Sequence, residues 1–340
     1  MTVLESVAAY TLTGRETAEL GEGLASLRDS AGDPSFPDFY DHSWQAVEVL
    51  PAGLRAFLED FRRTEQSAAC LVHGFPVDDE ALGATPAHWS EAITVKNALD
   101  QELALALCGM VLGEPFAWAT LQQGRLVQNV LPIAGDEENQ SGYGSESLLE
   151  FHTEDGFHPQ RCDYLMLLGL RNHDRVPTIV ASVRDIRLSD EDRDILASES
   201  FHILPDTEHI RQLEAWNPDH PALAEARRML ERPVPSAVLL GDRLSPYLRI
   251  DRPFMRCVGD DPRAVAALDR LMAELERVQQ DVVVEQGSLL VVDNYLAAHG
   301  RRSFRARYDG TDRWLKKQLV SRNLRRGLNT STTDSHRVIL

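Results

Sequence analysis

Basic residues are in short supply here. The chain has 35 Lys and Arg against 53 Asp and Glu, a formal net charge of −18 over 340 residues and a pI near 5.0. A nucleic-acid groove or an anionic membrane surface needs net positive charge, so neither is expected as a partner. Cysteine is scarcer still. Cys70, Cys108, Cys162 and Cys257 lie far apart with no CxxC pair, which argues against a zinc knuckle or a redox dithiol and for reduced thiols in the cytoplasm. No apolar run is long enough to cross a bilayer, because Leu103 to Leu112 is about half of the roughly 20 residues required. Met1 to Arg15 carries Glu5 and no basic leader, so a signal peptide is not expected. A Pro/Ser-rich linker and an internal repeat are also absent, and one domain spanning 1–340 is the simpler expectation.

What is present has the composition of an ordinary globular protein, with 43% hydrophobic and 26% charged residues. Helical periodicity dominates the first third, about 1–115. Leu20, Leu24 and Leu27, then Leu54, Phe57, Leu58 and Phe61, then Leu103, Leu105, Leu107 and Met110 recur at three- and four-residue intervals. From about 116 to 325 short strand-type runs take over, among them SLLEFHTE, DYLMLLGL, TIVASV, SLLVVDN and RWLKKQLV. Helical patterns interrupt them at 189–198, 222–231 and 262–279. Strands without strict strand-helix alternation favour an α+β chain with a β-sandwich or jelly-roll core and helices packed outside it. Two polar stretches, 136–147 and 206–220, read as surface loops or as flaps over a site.

The sharpest local feature is the His-x-Glu of Phe151-His152-Thr153-Glu154-Asp155. On a strand, positions i and i+2 face one side, so His152 and Glu154 could share a metal ion. Alone the motif is weak, and a half-buried His beside a solvated Glu is the better explanation of it. A second feature lies downstream, where the strand Leu289 to Val292 is followed by His299 and then by Arg313 beside Trp314. Two His and one carboxylate are the ligand set of the facial triad of non-haem iron sites, which leaves adjacent metal positions open. An Arg beyond the last His could meet the far carboxylate of a chelating oxo-acid. Most of the basic residues of 301–326 also fit a solvated rim.

Over nearly its whole length the sequence resembles the clavaminate synthase-like branch of the iron(II) and 2-oxoglutarate dependent dioxygenases, within the taurine dioxygenase superfamily. It is most similar to the bacterial arginine 3-hydroxylases of peptide-antibiotic pathways. The segments FAWAT, VLPIAG, LLEFHTEDGFHP, DYLMLLGLRN, ILPD, LRID, VVDNYLAAHGRRSF and RYDGTDRWLKK carry the resemblance in order. It implies a double-stranded β-helix with helices outside, and His152, Glu154 and His299 as iron ligands. It further implies Arg313 on the distal carboxylate of 2-oxoglutarate, with Thr178 assisting. The reaction implied consumes O2 and 2-oxoglutarate, releases succinate and hydroxylates an unactivated C–H of a small-molecule amino acid.

The substrate residues depart from that pattern. Asp251 of Leu248-Arg249-Ile250-Asp251 keeps the first acid that binds guanidinium in the arginine hydroxylases, but Pro253 stands where they carry a second. A polar contact to the amino-acid end falls on Leu121, or on Gln122 after a one-residue shift. Lys317 replaces an Arg that meets the substrate carboxylate, keeping the charge and losing the fork. The resemblance therefore implies C3 hydroxylation of a free, basic L-amino acid, with Asp251 at its side chain, Lys317 at its carboxylate, and Glu146 and Asp155 as candidates for its ammonium. A structural acid capped by Arg249 or Arg252 is the competing reading of Asp251. A neutral or amide side chain, or desaturation and cyclisation, stays open at the same iron site, and so does the oligomeric state. Trp216 and His209 are placed in a lid by position alone.

Overall fold

Every residue of the strands Tyr164–Arg171 and Ser288–Asp293 is buried, as strands covered on both faces must be. Alternation along them then defines two layers of core. Leu165, Leu167, Leu290, Val292, Leu315 and Leu319 point to one side, and Tyr164, Met166, Leu168, Leu289, Val291 and Val320 to the other. The structure, a computed structural model, describes residues 7–28, 30–327 and 335–339. It is a mixed α+β arrangement.

The larger sheet runs in the order Val7–Thr11, Ala69–His73, Ser288–Asp293, Tyr164–Arg171, Trp314–Ser321, Glu114–Trp118, Val338–Ile339. Gln128–Val130 pairs with the first half of Trp314–Ser321. The smaller sheet runs Gln280–Val283, Pro177–Ser182, Ala297–Arg301, Leu149–His152. The first 115 residues are thus not helix alone, since they supply two strands that extend the large sheet.

Three helices carry the periodicity expected of them, Gly14–Arg28, Ala52–Thr64 and Leu99–Leu112. Their Leu20, Leu24, Leu54, Leu58 and Leu103 join the outer layer of core against the large sheet. Leu99–Leu112 is buried nearly all round, the behaviour of a helix inside a core rather than on it. Lys316 reaches it from the sheet: its ammonium is fully buried, 2.6 Å from Glu102 and 2.7 Å from Asn129 Oδ1. The helix Pro262–Val278 covers the smaller sheet through Ala264, Ala267, Leu268, Leu271 and Leu275. No helix among the described residues is long and apolar enough to cross a membrane.

Residues 206–220 are not a polar loop. They begin with Asp206, whose side chain accepts from the Glu208 amide and caps the helix Thr207–Trp216, and they run into the helix Pro221–Glu231. The 136–147 stretch is irregular as expected, though Tyr143 and Ser145 within it are buried.

Candidate active site

The two sheets face each other across a cleft with about 1030 Å³ of empty space, open at its mouth. The smaller sheet brings His152 and His299 together, since they are register partners on antiparallel neighbours and their rings lie 4.2 Å apart. Gly300 makes that pairing possible. A Cβ there would sit 2.4 Å from the Leu149 carbonyl oxygen, and the register shifts between His299 and Arg301.

Glu154 lies beyond the strand end at His152, so pleating does not aim it. The buried Thr153 instead pins the turn, its amide and hydroxyl donating to the Ile250 carbonyl at 2.7 and 2.9 Å. Asn294 holds the next peptide from both sides, accepting from Glu154 N–H at 2.7 Å and donating to its carbonyl at 3.0 Å. Glu154 Oε2 then stands 3.3 Å from His299 Nε2 and 3.9 Å from His152 Nε2. One ligand atom from each of the three lies within 4.8 Å of the others.

The protonation pattern suits a metal. His152 Nδ1 lies 2.9 Å from the Glu150 carbonyl, which assigns the proton to Nδ1 and leaves the Nε2 lone pair facing Glu154. Burial, and then the neighbouring His299, lower the His152 imidazole to about 4, so it is neutral at pH 7. Burial pushes the Glu154 carboxyl up. Lys317, whose ammonium donates to Glu154 Oε1, outweighs it together with the two imidazoles and holds that carboxyl well below the usual range.

Arg313 enters the cleft at the start of the strand Trp314–Ser321. It is 6% exposed, its Nη2 lies 3.4 Å from Thr178 Oγ1, and its buried Nε has no partner. Among the described residues no carboxylate meets it. Burial, with the like charge of Arg301 adding, lowers it to about 9, which still leaves a cation at pH 7. Arg301 went unnoticed in the sequence. It lies on the same strand face as His299 and donates to the carbonyls of Gly144 and Ser147, so it ties down the 136–147 stretch.

Acids gather at the other end. Asp251 forms an isolated bridge with His152 and is 6% exposed. Arg249 does not cap it, because that guanidinium donates to the carbonyls of Gly156 and Phe157. Among the described residues no donor meets the Asp251 carboxylate. Burial, and then Asp206, Asp155, Glu154 and Glu150, push its carboxyl well above the ordinary value. Asp206 lines the same cleft, and burial raises it to about 6. Sequence reasoning passed over Asp206, although ILPD stood among the recognised segments.

Asp155 adopts φ 52° and is held by Trp118 Nε1 at 2.5 Å and by His209 Nε2 at 2.9 Å. Gln122, at φ 42°, spends its side chain on Asn129 and Tyr143. Leu121 also lines the cleft. Glu146 is exposed and is not part of the lining, and Trp216 lies 45% exposed on the outside.

The family model described as taurine catabolism dioxygenase TauD, TfdA family matches residues 41–317. The chain is 41% identical over 310 residues to the enduracididine beta-hydroxylase of Streptomyces hygroscopicus, covering 89% of this chain and 91% of that protein. It is 39% identical over 323 residues to the L-ornithine/L-arginine 3-hydroxylase of Catenulispora acidiphila, covering 92% and 94%. The crystal structure of the non-heme iron oxygenase OrfP in complex with Fe, succinate and (3S)-hydroxy-L-Arg superimposes with a TM-score of 0.91 at 38% identity, over 98% of this chain and 99% of that one.

Proposed function

The chain belongs to the TauD, TfdA family of iron- and 2-oxoglutarate-dependent oxygenases, and we propose that it hydroxylates a free, basic L-amino acid of the arginine type at C3. The observation that carries this reading is the charge left unmatched at the two ends of the cleft. Among the described residues, Arg313 is a buried cation with no anion, and Asp251 a buried acid with no cation. Each is expensive to hold in that state, and each fits a group that the reaction brings: the distal carboxylate of 2-oxoglutarate at Arg313 and the cationic side chain at Asp251.

In this reading the two facing sheets are the jelly roll, and His152, Glu154 and His299 hold Fe(II) on its inner wall. The neutral Nε2 lone pair of His152 and the low-lying carboxyl of Glu154 fit a divalent ion. Bound iron supplies the oxidative decarboxylation of 2-oxoglutarate and the activation of O2 for C–H hydroxylation. The protein supplies position. Arg313, with Thr178 beside it, orients the cosubstrate from its far end. Asp251, joined by Asp206, fixes the substrate's side chain. Pro253 removes one acid seen in the arginine hydroxylases, and Asp206 from the adjoining helix brings a second carboxylate to the same end of the cleft. Lys317, whose ammonium donates to Glu154 here, would serve the substrate's carboxylate if Glu154 held the metal. Asp155 contributes negative potential near the ammonium, with its oxygens already bonded to Trp118 and His209.

The test is anaerobic addition of Fe(II) and 2-oxoglutarate, followed by the weak visible band of the chelate, then a panel of amino acids screened for succinate and hydroxylated product. A band that His299→Ala abolishes, with turnover coupled to arginine, ornithine or a cyclic guanidino amino acid, is the expected result. Absence of the band overturns the oxygenase assignment. Coupling to neutral amino acids alone overturns the role of Asp251, and product NMR identifies the carbon.

A further inference from the structure

We propose that His209 is a positioning residue, locking the helix Thr207–Trp216 to the loop that carries Glu154 so that the acid Asp206 and the metal ligands share one frame. The proposal rests on the substrate reading above and adds the element that keeps its two ends in register. His209 is 3% exposed and uses both ring nitrogens: Nδ1 lies 2.6 Å from Thr120 Oγ1, and Nε2 lies 2.9 Å from Asp155 Oδ1. A carboxylate only accepts, so Nε2 carries the proton, and a neutral ring then accepts from the Thr120 hydroxyl at Nδ1. The ring is also gripped at its sides, 5.0 Å from Phe157 at an interplanar angle of 77° and 6.0 Å from Trp118 at 77°.

Both partners matter to the site. Asp155 follows Glu154 directly and sits at φ 52°, a left-handed conformation that persists where the surroundings hold it. Among the described residues, the side-chain donors to its carboxylate are Trp118 and His209. On the other side, the helix begins at Asp206, three residues before His209, and its Gln212 accepts from the Gln122 amide and donates to Tyr143. Arg211 also ties this helix to Asp136, but its side chain is 49% exposed, and ion pairs in water contribute little. Among the contacts that fasten the helix, the bond from His209 to Asp155 is a buried, charge-assisted one that runs toward the metal loop.

The test exploits the two nitrogens separately. In His209→Gln the terminal amide nitrogen takes the place of Nε2 and still reaches Asp155. In His209→Asn it takes the place of Nδ1 and reaches only Thr120. We expect His209→Asn to raise KM for the cationic amino acid about tenfold, the loss of one hydrogen bond to a charged group, and to raise the succinate released without hydroxylated product. His209→Gln should recover most of that coupling. The titration midpoint of the iron and 2-oxoglutarate band should stay unchanged in both.

Amide hydrogen exchange of 207–216, followed on the metal-free protein, should quicken in His209→Asn and far less in His209→Gln. Equal coupling and equal exchange in the two variants overturn the lock, as does a loss of the band in step with coupling, which marks general damage. Absence of the band from the unmutated protein overturns the oxygenase reading instead, and the exchange comparison still decides the lock.

Discussion

Asp251 should show opposite effects on stability and on turnover. In the free protein its carboxylate is buried and accepts no hydrogen bond among the described residues, and burial beside Asp206 pushes its carboxyl well above the ordinary value. An acid whose folded-state value lies above its unfolded value of about 3.9 binds more protons when folded. Its contribution to stability therefore falls as pH rises from about 4 toward the folded value, because ionisation in the cleft is resisted. Asp251→Asn removes that penalty and keeps the shape, so the variant should match the wild type near pH 4 and melt at a higher temperature at pH 8. Turnover should move the other way. A hydrogen bond to a charged partner contributes about 1.5–3 kcal/mol, which at 1.36 kcal/mol per decade is a drop of roughly 10- to 150-fold in kcat/KM for arginine. For a neutral amino acid of similar length the drop should be within about threefold, since no charge-assisted bond is lost. The assay pairs thermal melts at about pH 4 and pH 8 with quantified hydroxylated product. A variant that melts lower at pH 8 yet keeps its kcat/KM for arginine would refute the argument, because it would make Asp251 a structural acid.

Three further outcomes follow from the same groups. Arg313→Lys keeps a cation but loses the planar fork, so KM for 2-oxoglutarate should rise about tenfold or more; an unchanged KM, read by succinate release, removes Arg313 from the cosubstrate site. Lys316→Met leaves Glu102 buried without its cation and should cost about 3–5 kcal/mol in denaturant unfolding, while Lys316→Met with Glu102→Leu should regain most of it; a single-variant loss below about 1 kcal/mol would show the pair to be dispensable. Asp206, raised to about 6 by burial, must ionise to meet a cation. Affinity for a basic amino acid, measured by calorimetry, should therefore fall as pH drops below about 6, and Asp206→Asn should flatten that dependence.

Much of this site was legible in the sequence, and the part that was not has identifiable causes. The proposed ligands were read from ordered segments rather than geometry, since the same-face argument for His152 and Glu154 assumed a strand that stops at His152. Thr153 and Asn294 aim Glu154 instead, and contacts between residues 140 apart leave no local mark. The pairing of His152 with His299 is equally non-local, and it depends on Gly300 having no Cβ. The helix Thr207–Trp216 was taken for a loop because its buried face is Glu208, His209, Gln212 and Leu213. Hydrophobic periodicity finds helices that pack on apolar layers, and this one covers a polar cleft. The cap at Asp206 was the available signal, and following it would have exposed a second acid beside Asp251 in the cleft.

The cleft also leaves two of its ionisable groups, Arg313 and Asp251, without an oppositely charged partner among the described residues. Arg313 and Asp251 line one cavity, yet Arg313 is shifted by burial and by Arg301, with no acid contributing, and Asp251 by burial and other acids. Paired with each other, both would sit closer to their ordinary values and the protein would gain stability. They are kept apart because they stand on opposite sheets, Arg313 entering the large sheet at Trp314 and Asp251 bridged to His152 of the small one. The protein thus keeps a desolvated cation and a desolvated acid apart, a state that persists only where rigid elements enforce it. Its polarity suits the ligands proposed above, an anion at one end and a cation at the other. A net charge of −18 has no part in that selection, which is made by a few desolvated groups.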